Sequence, residues 1–359
     1  MTTSRRVASR IVVVAATCAL AGCSAIEFYW QGIAGQAEIL ARAKPISDVI
    51  EATPDPALRA RLARAQAIRQ FATRELALPD NRSYTSYADL GRPFVVWNVF
   101  AAPELSLAPR QWCFPVAGCV SYRGYFAESD ARAEAARLAS EGDDVHVGGV
   151  PAYSTLGYFD DPVLSTFVRY REVDLARLIF HELAHQVVYV KDDSSFNESF
   201  ATAVEEEGVA RWLAAESAKR APSQAAALGA DAARGQRVRA DFRAMIASAR
   251  ARLAALYGSA ASDEEKRAAK AAVFAEMRAE NERQKAVSDG ASTFDRWFAA
   301  GANNAGVVAA SLYADRVPQF KAVLDAENGD LVRFYGRVKA LAAVPKAERE
   351  LALADAARH

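Results

Sequence analysis

The sequence predicts an α+β fold, mainly helical, with a small mixed or antiparallel sheet packed beside one apolar helix. Three observations carry this. Helical periodicity fills residues 25–78, β-branched and aromatic runs cluster between 94 and 159, and helical patterns return from about 173 to the end. The composition, 52% hydrophobic and 25% charged, is that of a globular chain rather than a disordered one. A length of 359 residues is enough for one large core or two smaller ones.

The elements follow in order. "PALRARLARAQAIRQFATREL" (56–76) repeats Leu58, Leu62, Ala65, Ile68 and Ala72 at helical spacing, with arginines on the other face. Phe94–Phe100 reads as a strand, and "WCFPVAGCVSYRGYF" (112–126) as a strand pair about a turn. "ESDARAEAARLASEG" (128–142) opens on acidic and hydroxyl residues and closes on Gly142, which marks a helix. Residues 144–159 return to extended structure, with "VHVGGVPAYSTLG" a candidate edge strand whose free backbone an extended peptide could pair with. A helix over about Val173–Val190 is apolar at Leu175, Leu178, Ile179 and Leu183, as a buried helix should be. Residues 214–290 are dominated by Ala, Arg, Lys and Glu and read as long helices, arranged as a protruding hairpin.

The N-terminus reads as a targeting segment. Arg5, Arg6 and Arg10 precede an apolar run, Ile11–Ala21. That run is shorter than the roughly 20 residues a membrane span requires. "LAGC" (20–23) follows and resembles the bacterial lipobox, which implies a signal peptide over 1–22, an acylated Cys23 and a mature domain over 23–359. The alternative is an ordinary secretory signal cut near Ala21 or Ala25. With Ser24 after the cysteine, the resemblance implies the outer membrane, with the domain in the periplasm. Cys113 and Cys119 then remain as an even pair in an oxidising compartment, which reads as a disulfide; two buried free thiols are the alternative.

Lys+Arg and Asp+Glu both number 44, so no basic surface invites nucleic acid. Histidine is scarce: only His146, His181, His185 and His359 occur, and two of them fall in "FHELAHQ" (180–186). On a helix, four residues rise about 6 Å and turn about 400°, so His181 and His185 project the same way. Neutral imidazoles so placed can share one Zn²⁺. Glu182, turned about 100° from His181, lies beside such a cation rather than on it, where a general base for a metal-bound water belongs. Two histidines leave a third protein ligand to be found. "FNESFATAVEEEG" (196–208) offers Glu198, with Glu205 as a rival; Glu198, Thr202 and Glu205 share one helix face.

"HELAHQ" followed by "NESFA" resembles the gluzincin metallopeptidases. More narrowly, "WCFPVAGCVSYRGYF", "AYSTLGYFDDP", "FNESFATAVEEEG" and "NNA…YADRVPQF", with the lipobox, are similar to the predicted-aminopeptidase family of bacterial lipoproteins. The resemblance implies a zincin-like fold, one Zn²⁺ held by His181, His185 and Glu198, and Glu182 as base. Glu205 or Thr202 would then support a ligand histidine. Only 12 residues separate His185 from Glu198, fewer than in the alanyl-aminopeptidase branch, so the connection must return tightly.

The reaction so implied is zinc-dependent hydrolysis of a peptide substrate, by an aminopeptidase. A tetrahedral oxyanion calls for a further donor, for which Tyr313 and Tyr153 are candidates and His146 a third. The glutamate that binds the substrate ammonium in the alanyl-aminopeptidase branch has no counterpart in the extended segment; Glu172, Asp160 and Asp161 are the acids that could replace it. Two other readings stay open: a zinc-binding envelope lipoprotein acting as a binding or assembly module, and an endopeptidase or cell-wall peptide hydrolase.

Overall fold

The computed structural model describes residues 28–114, 118–287, 294–311 and 316–356. The expected signal segment with Cys23, and Tyr313, lie outside the described residues. The chain is α+β and mainly helical. Helices α1 (28–42), α2 (Ile46–Ala52) and α3 (Pro56–Leu76) come first, with β1 (Lys44–Pro45) between α1 and α2. The expected 56–76 helix is α3, started by Asp55, whose carboxylate accepts from the Ala57 N–H at 2.9 Å, and by Pro56 at its first turn.

The β-rich middle holds β2 (Ser86–Ala88), β3 (Val96–Pro103), β4 (Trp112–Phe114), β5 (Gly118–Val120) and β6 (Arg123–Tyr125). Helix α4 (Glu128–Ser140), β7 (Asp143–Val150) and β8 (Val163–Leu164) complete it. β3 is central in an antiparallel sheet ordered β6-β3-β7, in register from Val96 opposite Val150 to Pro103 opposite Asp143. It is buried along nearly all its length because both faces are covered. Trp97 and Val99 pack with Ala131 and Leu138 of α4, while Phe100 meets Ala305 and Ala309 of a later helix. β7 is the sheet's edge strand, as its sequence suggested. β4 and β5 form a hairpin closed by the Cys113–Cys119 disulfide.

Then come α5 (Glu172–His185), α6 (Ser194–Ser217), α7 (Pro222–Tyr257) and α8 (Asp263–Val287). The chain continues through α9 (Asp295–Ala299), α10 (Asn304–Ser311), α11 (Val317–Ala326), α12 (Leu331–Ala342) and α13 (Lys346–Ala356). α7 and α8 form the expected hairpin, but it does not stand free: Ile246, Leu253, Val273 and Phe274 share a second core with Ala302 and Val307, and α7 also packs on α6 and α10.

α5 rests mainly on α6 and α3, so helices rather than the sheet are its chief partners. Val173, Leu175, Ile179, Phe180 and Leu183 are all at most 2% exposed, burying most of its circumference. Gly208 lets α6 approach closely: a Cβ there would lie 2.7 Å from the Phe180 ring and 2.8 Å from Leu76.

Candidate metal centre

α5 ends at His185, five residues before the periodicity suggested. The reason is the return to α6. Asn197, 2% exposed, donates its amide to the Val190 carbonyl at 2.8 Å and accepts the Val190 N–H at 2.7 Å. Asp193 caps α6 by accepting from Phe196 N–H at 3.2 Å, and also ion-pairs with buried Arg349 at 2.8 Å. These ties fold the short connection sharply and bring Glu198, next to Asn197, back over α5.

His181 Nε2 lies 3.1 Å from His185 Nε2 and 3.2 Å from Glu198 Oε2; His185 Nε2 is 3.8 Å from the same oxygen. Donors about 2.0–2.1 Å from a tetrahedral cation stand about 3.3–3.4 Å apart, so the triangle suits one ion. Among the described residues these three are the group of His, Cys, Asp or Glu side chains that could hold a metal.

The support around them is unequal. Glu205 Oε2 stands 2.9 Å from His181 Nδ1, and its other oxygen takes a hydrogen bond from Arg177. A proton on Nδ1 leaves the Nε2 lone pair facing His185 and Glu198. His185 Nδ1, by contrast, is buried without a partner. Glu206 and Glu207 turn outward to Lys321 and Arg211, at 2.5 and 2.7 Å. Thr202 is buried on α6 between Glu198 and Glu205.

Electrostatics point the same way. Burial opposes charge on His181, but its hydrogen-bonded carboxylates, Glu198 and Glu205, outweigh that and push its pKa well above the usual range. Burial drives His185 down to about 4, against the attraction of Glu198. Burial would raise Glu198, yet His185 and His181 hold it below the usual carboxylate range. The cluster therefore favours a positive charge among the three donors, which a proton or a cation can supply. Glu182 is half-buried and makes no hydrogen bond within the triangle. Burial raises its carboxyl to about 7; His181 opposes this, and Glu198, Asp161 and Glu205 reinforce it.

Tyr122 adds a residue the motif reading missed. It lies between β5 and β6, its ring 5.6 Å from Phe100. Burial first, then the charges of Glu198, Tyr189 and Glu182, raises its hydroxyl's pKa, so it lies within electrostatic reach of the cluster. The disulfide hairpin holds it there: Cys119 N–H donates to Asp192 Oδ1 at 2.5 Å in the α5–α6 connection. Gly118, at φ +76, meets Lys191 and Asp192 so closely that no Cβ fits. The sequence signal for Tyr122 was its place three residues after Cys119. Arg177 was signalled by a lone cation one turn before His181 on an apolar helix.

The other candidates lie elsewhere. The Tyr153 hydroxyl donates to Gln36 Oε1. His146 is buried between Phe100 and Trp297, and burial takes it down to about 4. Glu172 is committed to Arg220 at 2.7 Å and Trp212 at 3.2 Å, and Asp160 pairs with Arg82 at 3.4 Å. Asp161 is 5% exposed, accepts the Thr155 N–H at 3.0 Å and has no lysine or arginine partner among the described residues. With Tyr84, Tyr153 and Gln36 it lines a cavity of about 10 Å³, room for about one water.

A family model described as "Putative aminopeptidase" matches residues 27–353. No curated protein and no solved structure matches the chain.

Proposed function

The chain belongs to the family described as "Putative aminopeptidase", and from that membership we propose that it is a zinc-dependent peptide hydrolase acting on free N-termini. The observation that carries the zinc reading is the triangle of His181 Nε2, His185 Nε2 and Glu198 Oε2, with edges of 3.1, 3.2 and 3.8 Å. These residues would hold the metal. Zinc, when bound, supplies a positive charge that polarises a peptide carbonyl and acidifies water.

Glu182 is the general base. Its carboxyl, raised to about 7 by burial, can take a proton from the attacking water and return it to the leaving amine nitrogen. A nearby cation would draw that value down and favour the carboxylate at neutral pH. Glu205, held by Arg177, keeps His181 in the Nδ1–H tautomer and fixes its ring. Tyr122 offers a hydroxyl to the oxygen that gains charge, a role the sequence had left to Tyr153 or Tyr313. Of the three acids weighed for the substrate ammonium, Glu172 and Asp160 are paired with arginines and Asp161 is buried beside a cavity with room for about one water, and we assign the role to none of them.

The arginine-led apolar stretch ending in "LAGC" supports lipid attachment at Cys23 and an outer-membrane location facing the periplasm. The Cys113–Cys119 disulfide agrees with an oxidising compartment.

The test is Glu182→Gln assayed on fluorogenic aminoacyl substrates, free and N-blocked. Turnover should fall about 10²–10⁴-fold with zinc retained, and blocking should abolish cleavage by the wild type. Cleavage of blocked substrates would make the chain an endopeptidase. Zinc bound with no hydrolysis of any peptide would make it a binding module.

A further inference from the structure

The outward face of α1 carries no charge from its start to Ala41. Tyr29, Trp30 and Ile33 are 44%, 69% and 62% exposed, and Ala34, Ala37 and Ala41 continue the same face. Seven large apolar side chains are exposed among the described residues, and three of them sit in these first two turns. The face extends about 18 Å along the helix.

The inner face is already engaged. Gln31 donates to the Gly124 carbonyl at 3.3 Å and accepts the Phe126 N–H at 3.0 Å, Gly35 lies under the Phe126 ring, and Ile39 enters the main core. The helix is therefore fixed, with an apolar surface turned outward that no described residue covers. Surfaces of this kind are exceptional on a protein that meets only water.

The adjoining chain identifies the occupant. Ile11–Ala21 is an uncharged apolar run, and Cys23 is five residues from the start of α1. Five extended residues reach about 17 Å. A lipid on Cys23 would put the start of α1 within that distance of the bilayer, and entry of the apolar run ending at Ala21 would put it within about 24 Å. Trp and Tyr beside Ile and Ala is the side-chain chemistry of the lipid headgroup boundary, where an aromatic body is buried and its polar edge stays wet.

We propose that α1 lies on the membrane, with Tyr29, Trp30 and Ile33 in the interfacial layer of the bilayer. The helix is then a second, non-covalent contact that fixes how the domain sits on the lipid surface, and it does so independently of the hydrolase reading.

The full chain is reconstituted into phosphatidylethanolamine–phosphatidylglycerol vesicles whose acyl chains are brominated, and tryptophan emission is compared with that of Trp30→Phe. Trp97 and Trp212 are buried, at 7% and 1% exposed, and Trp112 and Trp297 are half-buried; all four are common to both proteins, so the difference between the two isolates position 30. The expected result is quenching by brominated lipid of about a fifth of the emission, one tryptophan in five, lost in the variant. Equal fractional quenching in both proteins overturns the proposal. So does a Trp30 component shielded from aqueous acrylamide but untouched by brominated lipid, because a second copy or another segment of this chain would then cover the face.

Discussion

Replacing Glu205 by alanine removes the carboxylate that orients one proposed zinc ligand while leaving all three donors in place. Its Oε2 lies 2.9 Å from His181 Nδ1 in a buried setting, and Arg177 holds the other oxygen. A hydrogen bond to a charged group contributes about 1.5–3 kcal/mol, and losing such support around a metal-binding histidine weakens affinity about 10–100-fold. The two ranges agree, since a hundredfold is about 2.7 kcal/mol. Glu205 also helps to hold a proton on His181 when no cation is bound. Its loss should therefore ease competition from protons, so the deficit in zinc affinity grows as pH rises and narrows as pH falls. The assay is titration of the metal-free protein against a chromophoric zinc chelator between pH 6 and 8.5, with melting curves to confirm the fold. Glu205→Gln, whose single amide oxygen can accept from His181 or from Arg177 but cannot replace both carboxylate oxygens, should fall between the two. Equal zinc affinity in wild type and Glu205→Ala across that range, with both folded, would refute this account of His181.

Two further predictions concern the surroundings of the centre. Tyr122→Phe should lower kcat about 10²–10³-fold and leave zinc affinity unchanged; undiminished turnover would remove the hydroxyl from the reaction. Asp161 titrates at about 6 in the fold against 3.8 for the free side chain, chiefly because it is buried. Its raised value favours the fold below about pH 4, and that contribution is lost as pH rises through about 6, so that by pH 8 the buried charge costs up to about 3 kcal/mol. Asp161→Asn, which can still accept from Thr155, should melt higher than wild type at pH 8 and equally at pH 4. Identical melting profiles at both pH values would contradict the burial argument.

The sequence made the chemistry-bearing helix legible because its signals are local. Two histidines one turn apart and an apolar face need no tertiary knowledge, and the resemblance pointed to Glu198, the fifth residue of the next helix. The same locality gave α3 its bounds and the 214–290 region its hairpin. What escaped depends on contacts between distant segments. α5 stops at His185 because Asn197 binds Val190, and periodicity alone ran the helix on through the β-branched residues that follow. Glu205 could be separated from Glu206 and Glu207 only once Lys321 and Arg211 were seen to claim the other two. Tyr122 is one of 12 tyrosines, and what singles it out is the docking of the disulfide hairpin on Asp192, more than 70 residues away. Tyr153, attractive for its neighbours in sequence, gives its hydroxyl to Gln36 of α1.

The central claim is that His181, His185 and Glu198 together hold one zinc ion. X-ray absorption at the zinc edge, on full chain loaded with one equivalent, tests it most directly. The account predicts two imidazole nitrogens and carboxylate oxygen at about 2.0–2.2 Å, with one imidazole's scattering lost in His185→Ala and no sulfur in the shell. A spectrum showing sulfur ligands, or one unchanged by His185→Ala and Glu198→Ala, would place the metal elsewhere and contradict it.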